Sequence, residues 1–292
     1  MKYLVLGPGG QGIYAMLGYL QKIENQLEDL EEISGSSAGA MLAFLMTSGK
    51  SIQELLDLFI NVVTSEISKL DLNLFLKSYG FSDPSFIREN LIKLFGSDPT
   101  FKQLKKKIHV ASFCVNTGRT EYFSVDTHPD MHVSEAVTMS CLIPIMFAAH
   151  TFQGRLYIDG GMVEQFPGQP FLHKLHKDVF CITVSSTNQT DTIANFKDYM
   201  MAITLAYVRT ARISYDLPCV KIDTCDFNLV DMNMSYEDKI KLYIIGNLFP
   251  SIYQQNGTMR SQYEYCSNTS SSSNETIITT QECSTQNQNT IV

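Results

Sequence analysis

Glu32-Ile33-Ser34-Gly35-Ser36-Ser37-Ala38-Gly39-Ala40 places one glycine two residues before Ser37 and another two residues after it. That is the G-x-S-x-G spacing of a nucleophile elbow, a tight strand-to-helix turn with a serine at its tip. A serine forced into so sharp a turn leaves little room for side chains two positions away on either side, which is why glycine suits both places. The turn would set Ser37 at a helix N-terminus, where free N–H groups and the helix dipole favour developing negative charge. Small-residue runs also occur in ordinary strand-to-helix turns, so the five-residue pattern alone leaves open a turn with no chemistry. Ser36 lies beside Ser37 but off the glycine spacing.

Upstream, a short apolar strand, Tyr3 to Leu6, runs into Gly7-Pro8-Gly9-Gly10-Gln11-Gly12 and then into an apolar helical pattern from Ile13 to about Leu27. A glycine-rich strand-to-helix turn exposes backbone N–H groups to an anion. The spacing is not G-x-G-x-x-G, and no acidic residue stands about twenty positions on at a strand end, as a dinucleotide site would need. No Gly-Lys-Ser/Thr follows, which excludes a phosphate-binding Walker loop. Two readings remain: an oxyanion hole built on the N–H groups of Gly9 and Gly10, or a plain tight turn.

Downstream, the strand Leu156-Tyr157-Ile158 ends on Asp159-Gly160-Gly161. A carboxylate at a strand's C-terminal end, followed by two glycines, can reach a neighbouring loop; the bland alternative is a turn with an Asx cap. The six histidines are His109, His128, His132, His150, His173 and His176. A hydrolase triad in the order Ser, acid, His could use His173 or His176, but both lie in a segment that reads as a helix surface. Every histidine is read as structural or surface.

Between these points strands and helices alternate. A helix is expected from Ser37 to about Ser48, ended by Gly49, and another to about Val63 behind the capping box Ser51-Ile52-Gln53-Glu54. Asp83 or Ser85 would cap a helix through Phe95, Ile108 to Val115 and Thr120 to Val125 would be strands joined at Asn116 to Arg119, and Ser134 would cap a helix to Ser140. Val179 to Val184 and Val220 to Ile222 read as later strands, Ile193 to Ile213 and Tyr236 to Phe249 as helices. This alternation implies a largely parallel sheet with helices on both faces. Residues 1–265 form the folded part, and the Ser/Asn/Gln/Thr-rich residues 266–292, with little to bury, read as a disordered tail.

Composition narrows the function. The chain has 292 residues, a net charge of −8 and 44% hydrophobic residues, enough for one large α/β domain. No basic domain is visible, which disfavours a nucleic-acid partner; contact with a membrane would have to come from a local apolar rim. The seven cysteines show no CxxC pair and no metal-ligand cluster, and read as buried free thiols of a reducing compartment. The N-terminus reads as a strand rather than a signal peptide, and no apolar run reaches the ~18 residues of a membrane-spanning helix. A cytoplasmic protein, at most peripheral on membranes, is expected.

Taken together and in order, Gly7 to Gly12, Gly35 to Gly39 and Asp159 to Gly161 resemble the patatin-like phospholipase family: a glycine-rich oxyanion loop after the first strand, a G-x-S-x-G elbow, and a distant D-G-[GA]. Ser140-Cys141-Leu142-Ile143-Pro144-Ile145-Met146-Phe147 is similar to the family's S-x-x-x-P-x-x-F segment, and Phe166-Pro167 falls where the family has Asn-x-Pro. The resemblance covers about residues 3 to 225. It departs at Pro8, which replaces a loop glycine, at Gln11, which replaces the loop's basic residue, and at Gln165, which replaces the asparagine. The resemblance implies a three-layer α/β/α sandwich and a Ser37–Asp159 dyad without histidine. It also implies an oxyanion loop of Gly9, Gly10, Gln11 and Gly12, an elbow framed by Gly35 and Gly39, and a DGG motif completed by Gly160 and Gly161. The implied activity is a phospholipase or lysophospholipase acting through an acyl-enzyme at a membrane surface, in peripheral contact with it, with a lipid or phospholipid substrate and no metal or other cofactor. Pro8 and Gln11 motivate an alternative, a catalytically weak lipid-binding or interaction protein on the same fold. A histidine-dependent esterase is a third reading. Head group, acyl-chain length, cleaved position and oligomeric state are not legible.

Overall fold

The elbow segment sits at the middle of a central sheet. In a computed structural model describing residues 1–62, 72–188, 193–210 and 215–250, strand β1 (Tyr3–Leu6) pairs in parallel with β2 (Glu32–Gly35), setting Leu6 opposite Gly35. β2 pairs in parallel with β4 (Lys107–Cys114), and β1 with β9 (Val179–Ser185), which takes β10 (Cys219–Asp223) on its other side. The strand order β10-β9-β1-β2-β4 is therefore all parallel. β5 (Arg119–Phe123) and β8 (Arg155–Asp159) join β4 antiparallel, and β7 (His150–Phe152) closes the edge on β8. A separate parallel pair is formed by β3 (Gly80–Ser82) and β6 (Ile145–Phe147). The mostly parallel sheet with helices around it is the α/β architecture expected from the alternation.

Helix α1 (Ile13–Lys22) follows the glycine loop. It ends five residues short of the expected Leu27, because Glu24–Gln26 tightens into a 3-10 turn. Helix α2 (Ala38–Met46) follows the elbow, with Leu42, Ala43, Phe44 and Leu45 fully buried. A helix apolar on every side belongs inside the molecule, and α2 is the core's central helix. Truncating such a leucine to alanine costs about 2–5 kcal/mol. Helix α3 (Ile52–Ile60) starts at the expected capping box: Ser51 Oγ accepts from Glu54 N–H, and Glu54 Oε2 accepts from Ser51 N–H at 2.7 Å.

Helix α4 (Leu72–Ser78) and the short strands β3, β6 and β7 were not foreseen; pieces this short carry too few residues to show a period. Helix α5 (Ser85–Phe95) is as expected. Helix α6 (Val133–Ser140) has His132 at its N-cap position, with no side-chain capping bond, and Ser134 lies inside its first turn with Oγ donating to Asp98 Oδ1 at 2.5 Å. Helix α7 spans Phe196–Thr210, inside the wider Ile193 to Ile213 expected, and helix α8 is Tyr236–Leu248. α8 lies against α1 through two glycines: a Cβ on Gly18 would be 2.0 Å from Tyr243 O, and one on Gly246 would be 1.8 Å from Ala15 O.

The described residues all belong to one unit, Met1–Ser261; the expected tail, residues 266–292, lies outside the described residues. Cys114, Cys141, Cys181 and Cys219 are free thiols, the first three buried. Cys225 is disulfide-bonded, which corrects the reading of every cysteine as a free thiol. Among the described residues no helix is long and apolar enough to cross a membrane.

Candidate active site

The last residue of β2 and the first turn of α2 build the serine turn. Ser37 stands between them with φ 54° and ψ −126°, a backbone conformation that costs a non-glycine residue of order 1–3 kcal/mol and persists only where its surroundings impose it. The surroundings do. Ser36 N–H donates to Leu6 O at 3.2 Å, and Ala40 and Met41 N–H both donate to Ser37 O. A Cβ on Gly35 would lie 2.5 Å from Gly39 O, and one on Gly39 only 2.2 Å from Leu6 O, so the G-x-S-x-G spacing is a packing requirement of the turn. Ser37 N–H donates to Ser140 Oγ at 2.9 Å, and that hydroxyl donates onward to Ala111 O at 2.6 Å. Ser140, fully buried, thus ties the turn to the end of α6 and to β4.

The carboxylate comes from the same neighbourhood. On β4, Ser112 pairs with Asp159, the last residue of β8. Asp159 N–H donates to Leu142 O at 2.9 Å, and Asp159 Oδ1 accepts from Gly161 N–H at 2.7 Å. The Asx cap is therefore present, and it fixes the buried side chain. Gly160 and Gly161 are needed for closeness. A Cβ on Gly160 would sit 2.2 Å from Ala111 O, the carbonyl that receives Ser140, and one on Gly161 would sit 2.3 Å from Pro8 Cβ. Burial, with the Asp159 charge added, holds the neighbouring Cys141 thiol well above its ordinary pKa.

The glycine loop completes one wall. Gly10 has φ 49°, and a Cβ there would be 2.2 Å from Leu229 O. Of the four loop residues singled out, Gln11 spends its N–H on Leu229 O and Gly12 its N–H on Gly9 O, both at 2.8 Å. The N–H groups of Gly9 and Gly10 have no backbone acceptor among the described residues. The Gln11 side chain points to Met232 Sδ at 3.6 Å.

Pro8, Gly9, Gly10, Ser37, Asp159 and Gly161 all line one cavity of about 760 Å³. Gln165 lines it as well, whereas Gln11, Gly12, Gly35, Gly39 and Gly160 do not. None of the six histidines lines it. His109 is buried against Glu32, with Nε2 2.9 Å from Glu32 Oε2, and burial pushes its pKa below the ordinary value despite the carboxylate. His150 pairs with Glu135 and His132 with Asp98.

The far side of the cavity was missed by the sequence reading. It is made by Met201, Ala202 and Leu205 of α7 and by the loop Asn228 to Asn233. The only local signal was the apolar residues Phe227, Leu229, Val230, Met232 and Met234 interspersed with Asn and Asp, too short a run to assign to an element. Ile143, Met146, Met162 and Val184 add apolar lining, while Asn188, Asp198, Lys221 and Asp231 add polar lining. A cavity lined by both apolar and polar groups suits a ligand with a hydrocarbon part and a polar end.

Comparisons with known proteins place the chain in a family. The family model for patatin-like phospholipase matches residues 4–172, more than half of the chain. An uncharacterized protein, R571, of Acanthamoeba polyphaga mimivirus is 27% identical over 233 residues, 73% of this chain and 78% of that protein. A probable lipid hydrolase, 463L, of Invertebrate iridescent virus 6 is 26% identical over 57% of this chain and 61% of its own length. The cGAMP-activated phospholipase of Vibrio cholerae is 23% identical over 59% of this chain. The match spans about three fifths of each of these last two proteins. The crystal structure of VipD from Legionella pneumophila superposes with a TM-score of 0.53 at 16% identity, over 84% of this chain and 65% of VipD, and shows the shared fold.

Proposed function

The chain belongs to the patatin-like phospholipase family, a family of lipid hydrolases, and from that premise we propose that it cleaves fatty-acyl esters of phospholipids or lysophospholipids through Ser37 and Asp159. The observation that carries the reading is the meeting of a strained serine, a buried carboxylate and two loop N–H groups with no backbone acceptor among the described residues on one cavity wall.

The reaction runs in two halves. The Asp159 carboxylate takes the Ser37 hydroxyl proton as Oγ attacks the ester carbonyl carbon. The negative charge that forms on the carbonyl oxygen is held by the N–H groups of Gly9 and Gly10. Collapse breaks the carbon–oxygen ester bond, and the departing alcohol takes the proton from Asp159. Water then gives a proton to Asp159 and attacks the acyl-serine; the fatty acid leaves, and the proton returns to Ser37 Oγ. The hydrogen bond from Gly161 N–H to Asp159 Oδ1 orients the base, so no histidine is required to position or relay the proton. The apolar lining takes the acyl chain and the polar lining takes the head-group side.

The test is turnover of phosphatidylcholine and lysophosphatidylcholine by the full chain, together with labelling by a fluorophosphonate. Ser37→Ala is expected to remove both. Wild-type protein that neither hydrolyses any lipid ester nor takes the probe would overturn the reading. If such protein still bound lipid, equally well with Ser37→Ala, it would be the weakly catalytic lipid-binding protein that Pro8 and Gln11 suggest.

A further inference from the structure

Helix α7 has two apolar faces. Asp198, Met201, Ala202 and Leu205 recur at helical spacing and line the cavity. Phe196, Tyr199 and Ile203 recur at the same spacing on the opposite side and face solvent, with Tyr207 one turn further on. The outward row continues onto α4. The Phe75 ring meets Phe196 edge-on at 6.3 Å and stacks on Phe81 at 4.5 Å, and beside it Leu72, Leu76 and Tyr79 are exposed. These outward residues of α4 and α7 are between 46% and 74% exposed. Scattered apolar residues are normal on a surface, but a contiguous row on two touching elements marks an interaction site.

We propose that this α4–α7 face docks on a zwitterionic phospholipid bilayer and holds the cavity against it. The charge pattern favours that partner. The chain carries 30 acidic and 22 basic residues, yet α4 has no acidic residue, and the one acidic residue of α7, Asp198, lines the cavity. The face therefore presents leucine, isoleucine, phenylalanine and tyrosine with Lys77 beside them, and no outward carboxylate on either helix repels lipid phosphates. Tyrosines suit the head-group level, with a polar tip and an apolar body, and the aliphatic side chains suit the acyl boundary beneath it. The geometry supplies the second argument. α7 carries this face on one side and cavity lining on the other, so a bilayer docked on the face lies within about one helix width of the apolar lining. The inference rests on the acyl-hydrolase reading for what the bilayer supplies.

The experiment is co-sedimentation of the full chain with phosphatidylcholine vesicles, using wild type, Ser37→Ala and the double variant Leu76→Ser, Ile203→Ser. Neither altered position of the double variant lines the cavity. Wild type and Ser37→Ala are expected to bind alike. The double variant is expected to bind at least tenfold more weakly and to lose vesicle hydrolysis in proportion. It should keep the wild-type melting temperature and the wild-type rate on a water-soluble short-chain ester. Wild type that does not bind these vesicles, or a double variant that binds as well as wild type, would overturn the proposal. So would light scattering that shows a wild-type dimer split by the double variant, with vesicle binding unchanged, since the face would then join two copies. Binding that falls as expected in a protein with no esterase activity would sustain the surface and sink the hydrolase reading.

Discussion

The cavity's inner wall, which carries Ser37, Asp159 and the glycine loop, is built from strand ends in the middle of the sheet. Its backbone is held by hydrogen bonds from several elements and by contacts too close for a Cβ. The outer wall, α7 and the loop Asn228 to Asn233, packs on the inside and faces solvent on the outside. The inner wall has no freedom to vary: Gly39 cannot take a methyl group without meeting Leu6 O, and Ser37 is strained in place. The outer wall is contact area, where one side chain can replace another of similar size. Chemistry that needs sub-ångström placement sits on the first, and recognition of a flexible chain is left to the second.

The largest test of that contrast is Ser37→Ala, expected to lower hydrolysis by about 10⁴-fold or more with the melting temperature unchanged. Asp159→Asn should approach that loss, and it keeps an oxygen to accept Gly161 N–H, so it too should fold; rates on lipid ester and fluorophosphonate labelling read both. Gly39→Ala strikes the same wall through its backbone. Its Cβ would fall 2.2 Å from Leu6 O, and a loss of about 3 kcal/mol or more is expected, seen as a shifted denaturant midpoint or insoluble protein.

Ser140→Ala should come next. It removes the acceptor for Ser37 N–H and leaves that buried group unpaired, at a cost of about 1–3 kcal/mol. Because Ser140 holds the turn and not the substrate, kcat should fall, by about ten- to a hundredfold, with KM little changed. A fall in stability alone, with kcat intact, would break the idea that the turn's placement depends on this hydroxyl. On the outer wall, Leu205→Ala should cost less than about 1 kcal/mol of stability and raise KM for long acyl chains more than for short ones. An equal effect on all chain lengths would remove α7 from acyl recognition.

The smallest effect concerns pH. Burial pushes His109 below its ordinary pKa, so the unfolded chain binds this proton more readily than the folded one. The stability it contributes is present above the ordinary histidine value of about 6.5 and is lost as pH falls below it. His109→Gln should flatten that part of the denaturation-midpoint profile while leaving the pH dependence of hydrolysis unchanged, since His109 lies outside the cavity.

Much of the inner wall could be read directly. Glycine at Gly35, Gly39, Gly160 and Gly161 is a trace of backbone crowding, and crowding at a turn is a local matter that residue types record. The capping box at Ser51 and the strand and helix on either side of the glycine loop are local in the same sense. The cap of α6 was misread: Ser134 lies inside the first turn, and its hydroxyl's partner, Asp98, is 36 residues away in sequence, a distance that leaves no mark on the segment itself. The sequence singled out the Gly9 and Gly10 N–H groups for an oxyanion within a loop that runs on through Gln11 and Gly12. In the folded chain the N–H groups of Gln11 and Gly12 are used, whereas those of Gly9 and Gly10 have no backbone acceptor among the described residues.

By itself the sequence determined the α/β alternation, the crowded turns and the order of serine and carboxylate along the chain, because each depends on sterics and periodicity within a few residues. Tertiary structure alone decided that Ser37 and Asp159 line one cavity, that Ser140 braces the Ser37 turn, and that α7 carries cavity lining on one side and an apolar face on the other. Those facts depend on which strands lie side by side and which helix face turns inward. They are settled by burial summed over the whole molecule, which no short segment encodes.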